Sequence, residues 1–246
     1  MLLSMQDYYK QRDEKNVEKM YDVFFRDSVK SLLIGTDNGE WFRTGAQIKE
    51  LFRSDWKHWG DLHIDTYDFS IVQNGVYSMT TIKGLLDFKD DHVWDINIHM
   101  IFEKILDELV CKVMQFTIPR NKIKPTVIIN ESEIENEKYN IECNELRAYN
   151  SRNSSFNKEV TEKIQKLLLE EIYSAKPYAK DMDFPIGQLM LQGSEKDLYF
   201  CASGSFKDSR KGDVLPFRII GIGEKKDSGL KIINHVFSLP FVCKYG

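Results

Sequence analysis

Apolar residues recur at two spacings along this chain, and each spacing predicts its own kind of element. Val17, Met20, Tyr21 and Phe24 stand at i, i+3, i+4 and i+7, the stripe of an amphipathic helix over 14–27. A β-prone run, Ser31-Leu32-Leu33-Ile34-Gly35, then meets the turn residues Asp37-Asn38-Gly39 and continues as Glu40-Trp41-Phe42-Arg43, which predicts a hairpin. Thr44 followed three residues later by Gln47 reads as a capping box opening a second helix, whose buried stripe runs Ile48, Leu51, Phe52, Asp55, Trp56 and Trp59. Asp55 is the one polar residue on that stripe.

From residue 63 the period falls to two. Strands are expected over 63–72, 76–88, 93–104 and 109–118, with Asn74-Gly75 breaking the first two apart. In the third, Trp94, Ile96, Ile98, Met100 and Phe102 should face helices, while Asp95, Asn97 and His99 face solvent or another sheet. Pro119 ends the run because proline cannot donate to a ladder. Residues 121–157, rich in Asn, Glu and Ser, read as a linker with short strand candidates at 126–129 and 139–148. Helical spacing returns at Val160, Ile164, Leu167, Leu168 and Ile172, followed by strand candidates at 184–191, 198–205, 215–223 and 230–239.

One stretch occurs twice. Residues 92–119 lie over 213–240 without a gap, with eight of 28 positions identical: Val93/Val214, Ile98/Ile219, Ile101/Ile222, Glu103/Glu224, Lys104/Lys225, Leu109/Leu230, Phe116/Phe237 and Pro119/Pro240. Unrelated sequences of ordinary composition would match at about two. So long a period predicts duplicated domains rather than a solenoid. The expected organisation is therefore a domain over 1–120, a linker over 121–157 and a divergent second copy over 158–246, with no counterpart found for the first helix.

Composition narrows the function classes. At 246 residues with 42% hydrophobic positions the chain can bury a sizeable core, and a net charge of −4 gives no support to nucleic-acid binding. No apolar run reaches the length that spans a bilayer, and the N-terminus lacks the hydrophobic segment of a signal peptide. The four cysteines form no CxxC pair, so a reduced, cytoplasmic location is the expectation, with no metal and no cofactor. His58 and His63 have no ligand-spaced carboxylate or cysteine around them and read as surface residues.

The run IGTDNGEWFRTGAQIKELFRSDW carries a family signal. Ile34-Gly35-Thr36, Gly39-Glu40-Trp41, Gly45, Ile48, Phe52 and Asp55-Trp56 resemble SnoaL-like domains of the nuclear-transport-factor-2-like superfamily, and the endings MQFTIP and HVFSLP resemble that family's closing strand. The resemblance implies an α+β cone, a curved antiparallel sheet wrapped on helices. Present twice, it implies an intrachain pseudo-dimer, possible as a monomer, with Asp95, Asn97 and His99 at the seam. A cone of this kind encloses a pocket, for which Tyr21, Phe24, Trp41, Phe52, Trp56 and Trp94 are the candidate lining, and a small apolar or aromatic ligand the expected partner. Acid/base chemistry of the ketosteroid-isomerase type is not supported, since Thr36 and Ile98 fall where a carboxylate and a donor are required.

Three readings follow. The leading one is a non-catalytic small-molecule-binding or interaction protein. The alternative is a cofactor-free isomerase, cyclase or dehydratase using Asp55 or His99 with Tyr21 or Trp41 as donor, which requires these groups to reach one cavity point. The third is a protein-binding module working through the outer sheet face.

Overall fold

The structure is a computed structural model that describes residues 2–11, 13–26, 30–37, 39–88, 93–118, 166, 170, 186–193, 196–207, 214–226 and 229–240. The chain divides into two compact units, Met1–Lys124 and Pro125–Gly246. The expected strands at 126–129 and 139–148, and the helix expected around 160–172 apart from residues 166 and 170, lie outside the described residues.

Three helices, α1 (Leu2–Gln11), α2 (Glu14–Phe24) and α3 (Gly45–His58), accompany a curved mixed sheet in the first unit. The sheet contains β1 (Leu32–Ile34), β2 (Trp41–Phe42), β3 (Trp59–Asn74), β4 (Tyr77–Phe88), β5 (Val93–Ile105) and β6 (Glu108–Thr117), in the order β2-β1-β6-β5-β4-β3. Among the described residues, the β1–β6 pair is parallel and the other pairs of this sheet are antiparallel. The fold is α+β.

Local chemistry explains where α3 begins. The Thr44 hydroxyl accepts the Gln47 N–H at 3.2 Å, and the Gln47 side chain accepts the Thr44 N–H at 3.1 Å, so two orphan donors of the first turn are satisfied reciprocally. Just upstream, a Cβ at Gly35 would displace the Glu40 side chain, whose carboxylate accepts the Asp37 N–H across the β1–β2 hairpin.

The helices cover one face of the sheet. Ile96, Ile98, Met100 and Phe102 of β5 join Cys111, Met114 and Phe116 of β6 against Val17, Met20, Tyr21, Phe24, Ile48 and Phe52. Fully burying side chains of this size contributes roughly 1.5–3 kcal/mol each. Helix α1 was not foreseen from the sequence, yet it supplies Met5, Tyr8 and Tyr9, all buried in the same core.

The second unit contains an antiparallel meander, β10-β9-β8-β7, of β7 (Ile186–Gly193), β8 (Asp197–Lys207), β9 (Val214–Lys226) and β10 (Gly229–Ser238). Under the ungapped alignment of 92–119 on 213–240, the boundaries of β9 and β10 coincide with those of β5 and β6 at all four ends. The register shifts coincide too. Lys112 is the unpaired residue between Cys111 and Val113, and Ile233, its counterpart, is the unpaired residue between Ile232 and Asn234. Such a bulge is a placed feature of a strand pair rather than a defect.

Candidate functional site

Among the described residues of the first unit, Asp55 and His99 are buried polar groups on opposite faces of its sheet. The first is on the helix side. Successive turns of α3 bring Ile48, Phe52 and Asp55 onto one stripe facing the core, and α1 brings Tyr9 opposite. The Tyr9 hydroxyl donates to Asp55 Oδ2 at 2.8 Å. Around this bond stand aromatic walls: Tyr9 stacks on Trp59 with ring centroids 5.5 Å apart, Trp59 meets Phe116 edge-on at 5.6 Å, and Tyr8 packs between Tyr9 and Phe52. Burial pushes the Asp55 carboxyl well above the usual carboxylate range, the Tyr9 hydrogen bond opposes that shift, and the nearby Glu40 charge adds to it. Tyr9 is also raised well above its ordinary value, first by burial and then by the Asp55 charge. The arrangement is a desolvated acid held by a phenol.

The second centre is His99, on the opposite face. Side chains alternate along β5, so Ile98 and Met100 enter the helix-side core while His99 points away from it. Its position belongs to a row that crosses all six strands through paired residues: Trp41, Ile34, Gln115, His99, Thr81 and Ser70. His99 Nδ1 lies 2.9 Å from the Thr81 hydroxyl and Nε2 lies 2.9 Å from the Thr117 hydroxyl. Burial pushes its pKa down to about 4, so at neutral pH the ring is uncharged, one nitrogen donating and the other accepting.

This geometry corrects the expected acid/base pair. Asp55 and His99 are separated by the sheet itself and cannot converge on one atom. The expected pocket lining also divides. Tyr21, Phe24 and Phe52 are core side chains, buried at 3% exposure or less. Trp41 is not on the cone side, because it pairs with Ile34 while its neighbour Phe42 packs on the core. Trp94 is on the helix side but at a half-buried end of β5. The side chains of Trp56 and His58 lie outside the described residues. His63 is exposed and sits 3.3 Å from Asp87, and no metal-holding group of His, Cys, Asp or Glu occurs among the described residues.

Sequence reasoning missed Tyr9, the partner of Asp55. The signal is Met5, Tyr8 and Tyr9 at i, i+3 and i+4, a stripe of little more than one turn. Thr81 and Thr117 were missed for another reason. Contacts across three strands depend on register, which alternation alone does not supply.

Among the described residues, no helix is long and apolar enough to cross a membrane. No protein-family model matches the chain, and no curated protein matches it. Solved structures do. An NTF2-like superfamily protein from Salmonella enterica is similar with a TM-score of 0.40 and 11% identity, covering 51% of this chain and 91% of that one. A candidate dehydratase of the NTF2-like family from Streptomyces avermitilis is similar with a TM-score of 0.39 and 6% identity, over 48% of this chain and 89% of that one. A protein of unknown function with a cystatin-like fold from Nostoc punctiforme is similar with a TM-score of 0.38 and 11% identity, over 49% and 90%. Over about half of its length, this chain therefore has NTF2-like and cystatin-like proteins as its structural neighbours.

Proposed function

We propose that the chain is a non-catalytic interaction protein in which the NTF2-like cone serves as a packed scaffold, repeated in tandem with a divergent second copy. The observation that carries the first part is the separation of Asp55 and His99 onto opposite faces, each already engaged, Asp55 by Tyr9 and His99 by Thr81 and Thr117. A catalytic acid/base pair built from these two residues needs both within reach of one substrate. The tandem part is supported by the coincident strand boundaries and the equivalent bulges at Lys112 and Ile233. A cytoplasmic location remains part of this reading.

A second reading is favoured by one feature. The Tyr9–Asp55 pair offers hydrogen-bonding atoms inside aromatic walls, which suits a small apolar or aromatic ligand carrying one polar group. Native mass spectrometry of the full chain against a metabolite library separates the two. The scaffold reading expects no stoichiometric adduct and no converted compound. A compound retained one-to-one, and lost on Asp55→Asn with the fold intact, would replace it with the binding reading. Turnover abolished by the same substitution would overturn both.

A further inference from the structure

The six-stranded sheet ends at β3, and among the described residues no strand pairs with the outer edge of its last third. Phe69 and Ile71 are 49% and 61% exposed, and Asp68, Ser70 and Gln73 are exposed as well. An edge strand presents a row of N–H and C=O groups that only another strand can match, and proteins ordinarily blunt it with charge, proline or a bulge. Here the blunting is local. A wide irregularity falls between Ile64 and Phe69, where the Asp65 carboxylate accepts the Asp68 N–H at 3.1 Å and Lys83 is tied to Asp68. Beyond it, Phe69-Ser70-Ile71-Val72-Gln73-Asn74 contains neither charge nor proline. The protected part of the edge and the unprotected part adjoin.

We infer that β3 pairs with β3 of a second copy of this chain, antiparallel and two-fold about Ile71. The register of the β3–β4 hairpin selects which groups take part. Asn74 and Tyr77 close a two-residue turn, and alternation then aims the backbone groups of Val72 and Ser70 at β4 and those of Gln73, Ile71 and Phe69 at the open edge. Two copies centred on Ile71 bring each Phe69 opposite a Gln73, each Ile71 opposite the other Ile71, and each Asp68 opposite an Asn74. The register sets no like charges against each other. No carboxylate meets a carboxylate, and the Asp68 charge is already countered by Lys83. The exposed Phe69 and Ile71 share one sheet face, so the same register gathers four apolar side chains that are otherwise wet. A contact of this size is weak and reversible.

Sedimentation of the full chain across a dilution series, up to about 100 µM where a small interface becomes populated, tests the inference. The expected result is a monomer–dimer equilibrium, abolished by Ile71→Lys, which puts two ammonium groups face to face. Ile71 is solvent-exposed, so circular dichroism should be unchanged. Gln73→Pro is the second variant. It removes an edge-facing N–H that β4 does not use, and should also yield monomer. Hydrogen exchange should slow at the Ile71 and Gln73 amides as concentration rises. A chain that stays monomeric at every concentration overturns the inference. So does a dimer that persists in both variants or leaves those amides unprotected.

Discussion

The two faces of the six-stranded sheet handle a buried polar group in opposite ways. On the helix side Asp55 is an acid whose burial favours the proton; on the outer side His99 is a base whose burial expels it. Burial disfavours the charged form of both, and their partners differ: a phenol donates to the acid, and two threonine hydroxyls bridge the ring. The lesson is that an intriguing titratable residue can be explained by its own neighbours. Buried polar groups are tolerated when every partner is supplied locally.

Acid titration gives the largest expected break between the faces. His99 has a folded pKa of about 4 against an ordinary 6.5, so the unfolded chain binds the extra proton in that window. Its contribution is whole above 6.5 and is lost as pH falls toward 4, roughly 3 kcal/mol in all. Asp55 has the reverse sign. Its folded pKa is raised above 3.8, so its contribution is whole below that value and declines as pH climbs toward the raised one. Urea unfolding at several pH values should therefore show His99→Gln flattening the limb between 4 and 6.5. Asp55→Asn should instead remove a loss of stability that develops on raising the pH. Identical profiles for the two variants would mean that the faces are not distinct.

A smaller effect isolates the helix-side bond. Tyr9→Phe keeps the ring stacked on Trp59 but leaves the Asp55 carboxyl without its donor, which should cost about 1–2 kcal/mol by thermal unfolding. Loss of the α3 cap should be smaller still. Thr44→Ala should cost about 1 kcal/mol and leave the pH limb assigned to His99 unchanged, because it acts on the helix that carries Asp55 alone.

How much of this was visible in the sequence depends on which interactions set each feature. The strands of the β5–β6 and β9–β10 pairs were legible because alternation and the internal copy are local signals, and the capping box at Thr44 was legible because three residues suffice to make it. The polar centres were not. Position 99 is a buried histidine, while its aligned counterpart Ile220 is a buried isoleucine paired with Cys201 and Val236, so the sequence alignment does not carry the polar centre with it. Tyr9 meets Asp55 across 46 positions of chain, a contact that no periodicity reports. Aromatic character alone points Trp41 to the pocket, whereas the hairpin register with Ile34 turns it outward.

Asp55 and His99 on opposite faces should act independently, and a double-mutant cycle measures that directly. Equilibrium unfolding of Asp55→Asn, His99→Gln and the pair together should give additive losses, with an interaction within about 0.5 kcal/mol of zero. An interaction energy above about 1 kcal/mol would place the two groups in one network and contradict the separation of the faces.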